Sequence, residues 1–204
     1  MAKKTKEHAE QTRLNLIASA RELFLKQGLT KTTMEQIATH AGYTRGAIHW
    51  HFKNKVEIFQ AMRDLVSIPM VDRLDDKLFN DNEGDSLQSI ENTLHELFKT
   101  LDNDLATQQT FMILSRCEYA GEFEFLKRII DESRDGCAIK MHEAFKSAEK
   151  QGLLRDHITT SSCARITQSF IIGTIELWIS DDSSTGIRNS VHEIITDFIK
   201  MFRR

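Results

Sequence analysis

Apolar residues recur at helical spacing along nearly the whole chain, and Pro69 is the one proline among its 204 residues. Short strands joined by tight turns need frequent glycine and proline, and nine glycines with one proline supply little of that punctuation. The chain is therefore written for helices. In residues 10–27 the positions Leu16, Ile17, Ala20, Leu23 and Phe24 fall at i, i+1, i+4, i+7 and i+8, one buried stripe on one helix. Gly28 then ends it. In the next run, LTKTTMEQIATHAG, Thr32 or Thr33 can cap a short helix, with Glu35 or Gln36 placed to close a capping box. Met34, Ile37, Ala38 and Ala41 form its inner face, and Gly42 breaks the chain before Thr44 caps another short helix running to about Phe52.

Two short helices joined by a tight glycine turn, behind a longer supporting helix, are the pattern of a helix-turn-helix. The stretch YTRGAIHWHFKNK, residues 43–55, carries its second helix. On a helical wheel Ile48 and Phe52 share one side, while Gly46, His49 and Trp50 point the other way. His49 and His51 lie two apart and diverge, so they do not converge on a metal. A face turned to a DNA groove accounts for both sides of the helix. Arg45 can present its planar fork to guanine O6 and N7. Gly46 and Ala47 are small enough to let the helix approach base edges, and His49 can donate to a phosphate or a base. Thr33, Thr44, His51 and Lys55 can hold phosphates through hydroxyl, imidazole or ammonium groups. Trp50 faces either the preceding helices or the DNA.

Charge supports this placement. Residues 1–55 hold ten Lys/Arg against four Asp/Glu, and the remainder holds seventeen against twenty-six, which makes up the net −3. Only the basic N-terminal quarter suits a polyanion.

TRGAIHWHFKNK, with the upstream run TRLNLIASARELFLKQGLTKTTMEQIATHAG, resembles the DNA-binding domain of TetR-family transcriptional repressors. Members usually carry a tyrosine where this sequence has His49 and a small aliphatic residue where it has Tyr43, departures that bear on phosphate contact and operator preference. Tyr43 is counted with the residues expected to contact DNA. MILSRCEYAGEF and the later GTIELW resemble, within that family, efflux-pump repressors of the AcrR and TtgR type. The resemblance implies a C-terminal region that encloses a hydrophobic effector and controls multidrug export.

That region begins with KVEIFQAMRDLVSIPMVDRL, whose proline predicts a kink near Ile68 or a helix end, because an interior proline costs about 3 kcal/mol. FNDNEGDS has loop composition. Leu87, Ile90, Leu94, Leu97, Phe98 and Leu101 then mark an amphipathic helix, and further helices are expected over 107–118 and 122–150. The expected architecture is all-α, about nine helices in all, with a helix-turn-helix domain in residues 1–53 and a larger helical effector-binding and dimerisation domain in residues 54–204.

TSSCARITQSFIIGTIELWIS, residues 160–180, is apolar nearly all round, as a helix covered from several sides must be. With the final helix it predicts a two-fold interface through Ile166, Phe170, Gly173, Leu177, Ile194, Ile195 and Phe198. A dimer would set two recognition helices about 34–36 Å apart on an inverted-repeat operator. Facing alone suggests an effector pocket lined by Thr110, Phe111, Leu114, Cys137, Met141, Gln168, Ile171, Ile172 and Ile175, closed by Leu65, Leu94 and Phe98, though ordinary core explains each as well.

Other classes fit poorly. No Ser/His/Asp or Cys/His set, paired carboxylates or metal spacing stands out, so neither catalytic residues nor a cofactor or metal is expected. Cys117, Cys137 and Cys163 form no CxxC pattern and are expected as reduced packing residues. No apolar run is long enough for a membrane span, which points to the cytoplasm. A regulator of fatty-acid or signal-molecule response, an activator, and an architectural DNA binder without effector remain as alternatives.

Overall fold

Five of the helices start at a side chain that caps them: Thr33, Thr44, Asn54, Asp85 and Thr159. The computed structural model describes residues 2–66, 84–181 and 186–204, and these form nine α-helices with one isolated bridge, Leu154 to Arg203, as their only β-type pairing. They are α1 (Ala2–Gln27), α2 (Met34–His40), α3 (Arg45–His51), α4 (Lys55–Asp64), α5 (Ser86–Asn103), α6 (Leu105–Ser115), α7 (Glu124–Lys150), α8 (Thr160–Ser180) and α9 (Ile187–Lys200). α1 starts well before the residue-10 limit of its apolar stripe, since AKKTKEHA holds helix formers and no breaker. The kink expected at Pro69 lies outside the described residues, as do residues 67–83 of the helix and loop expected around it.

At α2, Thr33 Oγ1 accepts from the Gln36 amide at 3.2 Å while Gln36 Oε1 accepts from the Thr33 amide at 2.9 Å. Gln36, not Glu35, closes the capping box, which leaves the Glu35 carboxylate for another partner. Gly42 ends the helix at φ +76°, with Tyr43 N donating to Ala38 O at 2.8 Å and Gly42 N to Thr39 O at 3.1 Å. This is a left-handed glycine cap with both of its hydrogen bonds, and it sets the entry into α3. Thr44 and Asn54 cap α3 and α4 by accepting from Ala47 N and Glu57 N.

The contacts divide the chain into two units, Met1–Val66 with Ala106–Leu126, and Ser67–Leu105 with Lys127–Arg204. In the first, α1 packs against α2, α3 and α4. Leu16, Ile17, Ala20 and Phe24 meet Ile37, Ile48, Ile58 and Met62 in one core, which also takes in Ile113 of α6, Phe123 and Leu126. A fully buried side chain of this kind contributes roughly 1.5–3 kcal/mol. Ser19 adds a polar tie, donating to Ile37 O at 3.2 Å with His40 Nδ1 2.7 Å away.

In the second unit α9 packs against α5 and α8. Leu87, Ile90, Leu94, Leu97, Phe98 and Leu101 are all buried, as their spacing predicts. Phe170 and Phe198 stack at 3.9 Å between ring centres, and Phe202 meets both Phe198 and Phe145 edge-on at 5.0 and 5.1 Å. The C-terminal residues are pinned: Arg204 N donates to Leu153 O at 2.8 Å, and the Arg203 guanidinium lies 2.7 Å from Asp85, the cap of α5.

Candidate nucleic-acid interface

α3 is held from beneath and open above. Ile48 is fully buried and Phe52, just past the helix, nearly so, and Arg13 of α1 lies over the Phe52 ring at 5.4 Å. Arg45, Gly46, His49 and Trp50 are exposed on the other side, Trp50 to 73%. That exposure removes the packed alternative, since a ring set on the preceding helices would be covered. A Cβ at Gly46 would meet only Thr44 Oγ1, at 3.8 Å, so its surface is smooth and open.

The remaining predicted DNA contacts divide by what already holds them. The Thr33 and Thr44 hydroxyls each accept one backbone N–H as caps and keep a proton to donate. Both are exposed, and Ala47 is half-buried. The Tyr43 hydroxyl accepts from Asn15 Nδ2 at 2.9 Å, which fixes the ring against α1 while its own O–H can still donate. His51 is half-buried against Trp50, ring centres 4.5 Å apart. Burial, then the Arg13 charge, push its imidazole below 6.5, so at neutral pH it offers an N–H rather than a cation.

Lys55 changes role. Its ammonium donates to Leu29 O at 3.0 Å and Thr30 O at 3.3 Å and sits over the Phe123 ring at 5.2 Å. It ties the turn after α1 to the start of α4, so the cation is already engaged before any phosphate is met. Arg45 has a partner too, Glu35 Oε1 at 2.9 Å. Periodicity gave no hint of that pair, because it depends on the angle at which the glycine turn sets α3 against α2.

The predicted effector-facing residues fall in both units. Thr110, Phe111 and Leu114 are on α6 in the first. Thr110 is buried and donates to Ala106 O at 2.8 Å, and Leu114 packs on the core under the DNA-reading helices. Leu65 is 51% exposed and Ile172 45%, so neither is an enclosed wall in the single chain. In the second unit Leu94, Phe98, Met141 and Ile171 are buried and Cys137 and Ile175 half-buried. Burial lifts the Cys137 thiol to about 11, and the neutral S–H behaves as apolar lining. Gln168 Nε2 is engaged by Arg134 O at 3.1 Å. Two buried polar atoms of α8, Thr167 Oγ1 and Trp178 Nε1, lack a hydrogen-bond partner, a feature no sequence pattern signals.

Of the expected interface residues, Ile166 and Leu177 are exposed to 48% and 61%, and Gly173 is open. Phe170 and Ile194 are half-buried. Ile195 and Phe198 are corrections: packing against α5 and α8 buries them in the chain's own second unit.

An all-helical chain that seats one short capped helix on a three-helix support, with an arginine, a histidine and a tryptophan on its open face, is a helix-turn-helix regulator. Residues 16–62 match the bacterial regulatory proteins of the tetR family, and residues 85–204 match the C-terminal region of MAATS-type transcriptional repressors. The chain belongs to the TetR family of transcriptional regulators. It is 29% identical to the HTH-type transcriptional regulator TtgR of Pseudomonas putida, over 100% of this chain and 97% of that one. It is 28% identical to AcrR of Shigella flexneri, over 99% and 94%. The crystal structure of NalD, described as the secondary repressor of the MexAB-OprM multidrug efflux pump in Pseudomonas aeruginosa, superimposes with a TM-score of 0.82 at 26% identity, covering 97% and 98%. Among the described residues no helix is long and apolar enough to cross a membrane.

Proposed function

We propose that the chain is a cytoplasmic, homodimeric repressor that binds an inverted-repeat operator, is released by a hydrophobic small molecule, and controls a multidrug efflux operon. In this reading residues 1–53 read DNA and residues 54–204 bind effector and dimerise. The observation that carries it is the open face of α3, with Arg45, Gly46, His49 and Trp50 exposed over a core anchored by Ile48 and Phe52. Thr33, Tyr43 and Thr44 flank that face as hydrogen-bond donors to phosphate.

Support for the dimer is the stripe on α8, where Ile166, Gly173 and Leu177 share one side and lie open to solvent. An apolar helical face left uncovered by its own chain suits a second copy. Support for the effector is the set Leu94, Phe98, Cys137, Met141, Ile171 and Ile175, apolar on three helices of the second unit, with the unpartnered Thr167 hydroxyl on one of them. The efflux assignment rests on the similarity to NalD, described as a repressor of a multidrug efflux pump. An effector induces only through the difference between its affinities for the DNA-competent and released states.

Selection of duplexes from a randomised pool by the purified chain tests the DNA reading. Enrichment of an inverted repeat with half-sites about one helical turn apart is expected. Retention of all sequences alike, with strong salt sensitivity, would make the chain an architectural binder instead.

A further inference from the structure

We infer that Glu35 sets sequence discrimination by competing with non-specific DNA for Arg45, an inference that rests on the DNA-reading role of α3. Arg45 is the first residue of α3, Glu35 lies in the first turn of α2, and the guanidinium Nη1 is 2.9 Å from Glu35 Oε1. The capping box of α2 uses Gln36, so the Glu35 carboxylate has no role in the cap. Both side chains are largely in water, 73% and 58% exposed, and such a pair is weak. It holds Arg45 in the free protein and yields to a better partner.

DNA offers Arg45 two kinds of partner. A guanine presents O6 and N7 side by side, two acceptors that match the guanidinium fork and replace what the carboxylate supplied. A lone phosphate on random sequence replaces it without the matched geometry, and the Glu35 carboxylate is then left beside an anionic backbone. Away from guanine, breaking the pair and leaving Glu35 against the phosphates offset most of what one phosphate contact supplies, so Arg45 stays largely with Glu35 and little counterion is released. One phosphate contact contributes a slope of about −0.9 against log salt, roughly eightfold in affinity at 0.1 M. Glu35 withholds that increment from random sequence while costing the matched operator little, so specificity arises from a contact disfavoured elsewhere as well as one gained.

The experiment measures binding of wild type, Glu35→Gln, Arg45→Ala and the double variant by anisotropy across a salt series. The probes are a duplex of about 30 base pairs enriched by the wild-type chain from a randomised pool, and a scrambled duplex of equal length. Melting curves that superimpose on wild type establish that the variants are folded. For Glu35→Gln the scrambled duplex is expected to bind severalfold tighter, up to about eightfold, per subunit engaged, with its salt slope steeper by up to about one. The enriched duplex is expected to gain no more than about threefold, so the specificity ratio falls, and in the Arg45→Ala background the same change leaves the ratio unmoved. An unchanged ratio for Glu35→Gln, or an equal change with and without Arg45, overturns the inference while leaving the DNA reading intact. Failure of the wild type to enrich any sequence removes both.

Discussion

Lys55 and Arg45 are both cations at the start of a helix beside the proposed DNA face, yet their surroundings assign them different work. Lys55 is bound to two backbone carbonyls and an aromatic ring, and Arg45 to one exposed carboxylate. Arg45→Ala should cut affinity for the enriched duplex about tenfold or more, at about 1–3 kcal/mol per base contact, with melting unchanged. Lys55→Ala should cost about 1–2 kcal/mol of stability, with the loss of DNA affinity following unfolding. Equal melting temperatures for the two variants would contradict the assignment. Buried polar atoms offer a second contrast: Thr167 Oγ1 is buried without a partner, so Thr167→Val, nearly isosteric, should raise stability by about 1 kcal/mol in denaturant unfolding. A drop of the same size would mean that the hydroxyl has a partner in solution. Residue types were legible in YTRGAIHWHFKNK, but which cation was already spent was not, because Leu29, Thr30 and Phe123 are distant in sequence.

At the scale of elements, caps and periodicity carried most of the reading. Thr33, Gly42, Thr44 and the stripe from Leu87 to Leu101 all sit where the sequence predicts, because each depends on neighbours within a turn or two. Tertiary ties escaped it. Asp85 caps α5 and also meets Arg203 near the C-terminus. The Arg203 hydrogen bond and backbone N–H groups hold the Asp85 carboxyl below its ordinary 3.8, against the opposing effect of partial burial. A carboxylate with a depressed folded pKa stabilises fully above the unfolded value, and that contribution is lost as pH falls through the folded pKa. Stability should therefore be level in this respect down to about pH 5 and fall below pH 4. Arg203→Ala should shallow the acid limb in melting curves taken from pH 3 to 7 and cost about 1 kcal/mol or less at neutrality. An acid limb identical to wild type would remove Asp85 and Arg203 from the account.

For the molecule as a whole, the all-helical class followed from patterning, whereas the grouping of residues 106–126 with the first four helices did not. Ile113, Phe123 and Leu126 read as ordinary apolar positions, and only long-range packing reveals that they complete the core beneath α3. Ile195 and Phe198 show the same limit in reverse, since periodicity marks an apolar face without saying which neighbour covers it. Leu177, exposed to 61%, separates the two possibilities. Leu177→Asp should leave the fold unchanged, shift sedimentation from dimer to monomer, and weaken operator binding by more than about a hundredfold, since one head reads too few base pairs. A monomeric wild type would contradict the proposed symmetry. The central claim is control of DNA binding by a small molecule. Mobility shift of the DNA upstream of the chain's own gene, with hydrophobic aromatic and cationic compounds added in turn, tests it most directly. The account predicts a sequence-specific complex that at least one such compound dissolves in a saturable manner. A specific complex that persists when a compound is shown by calorimetry to bind the same protein tightly would contradict it.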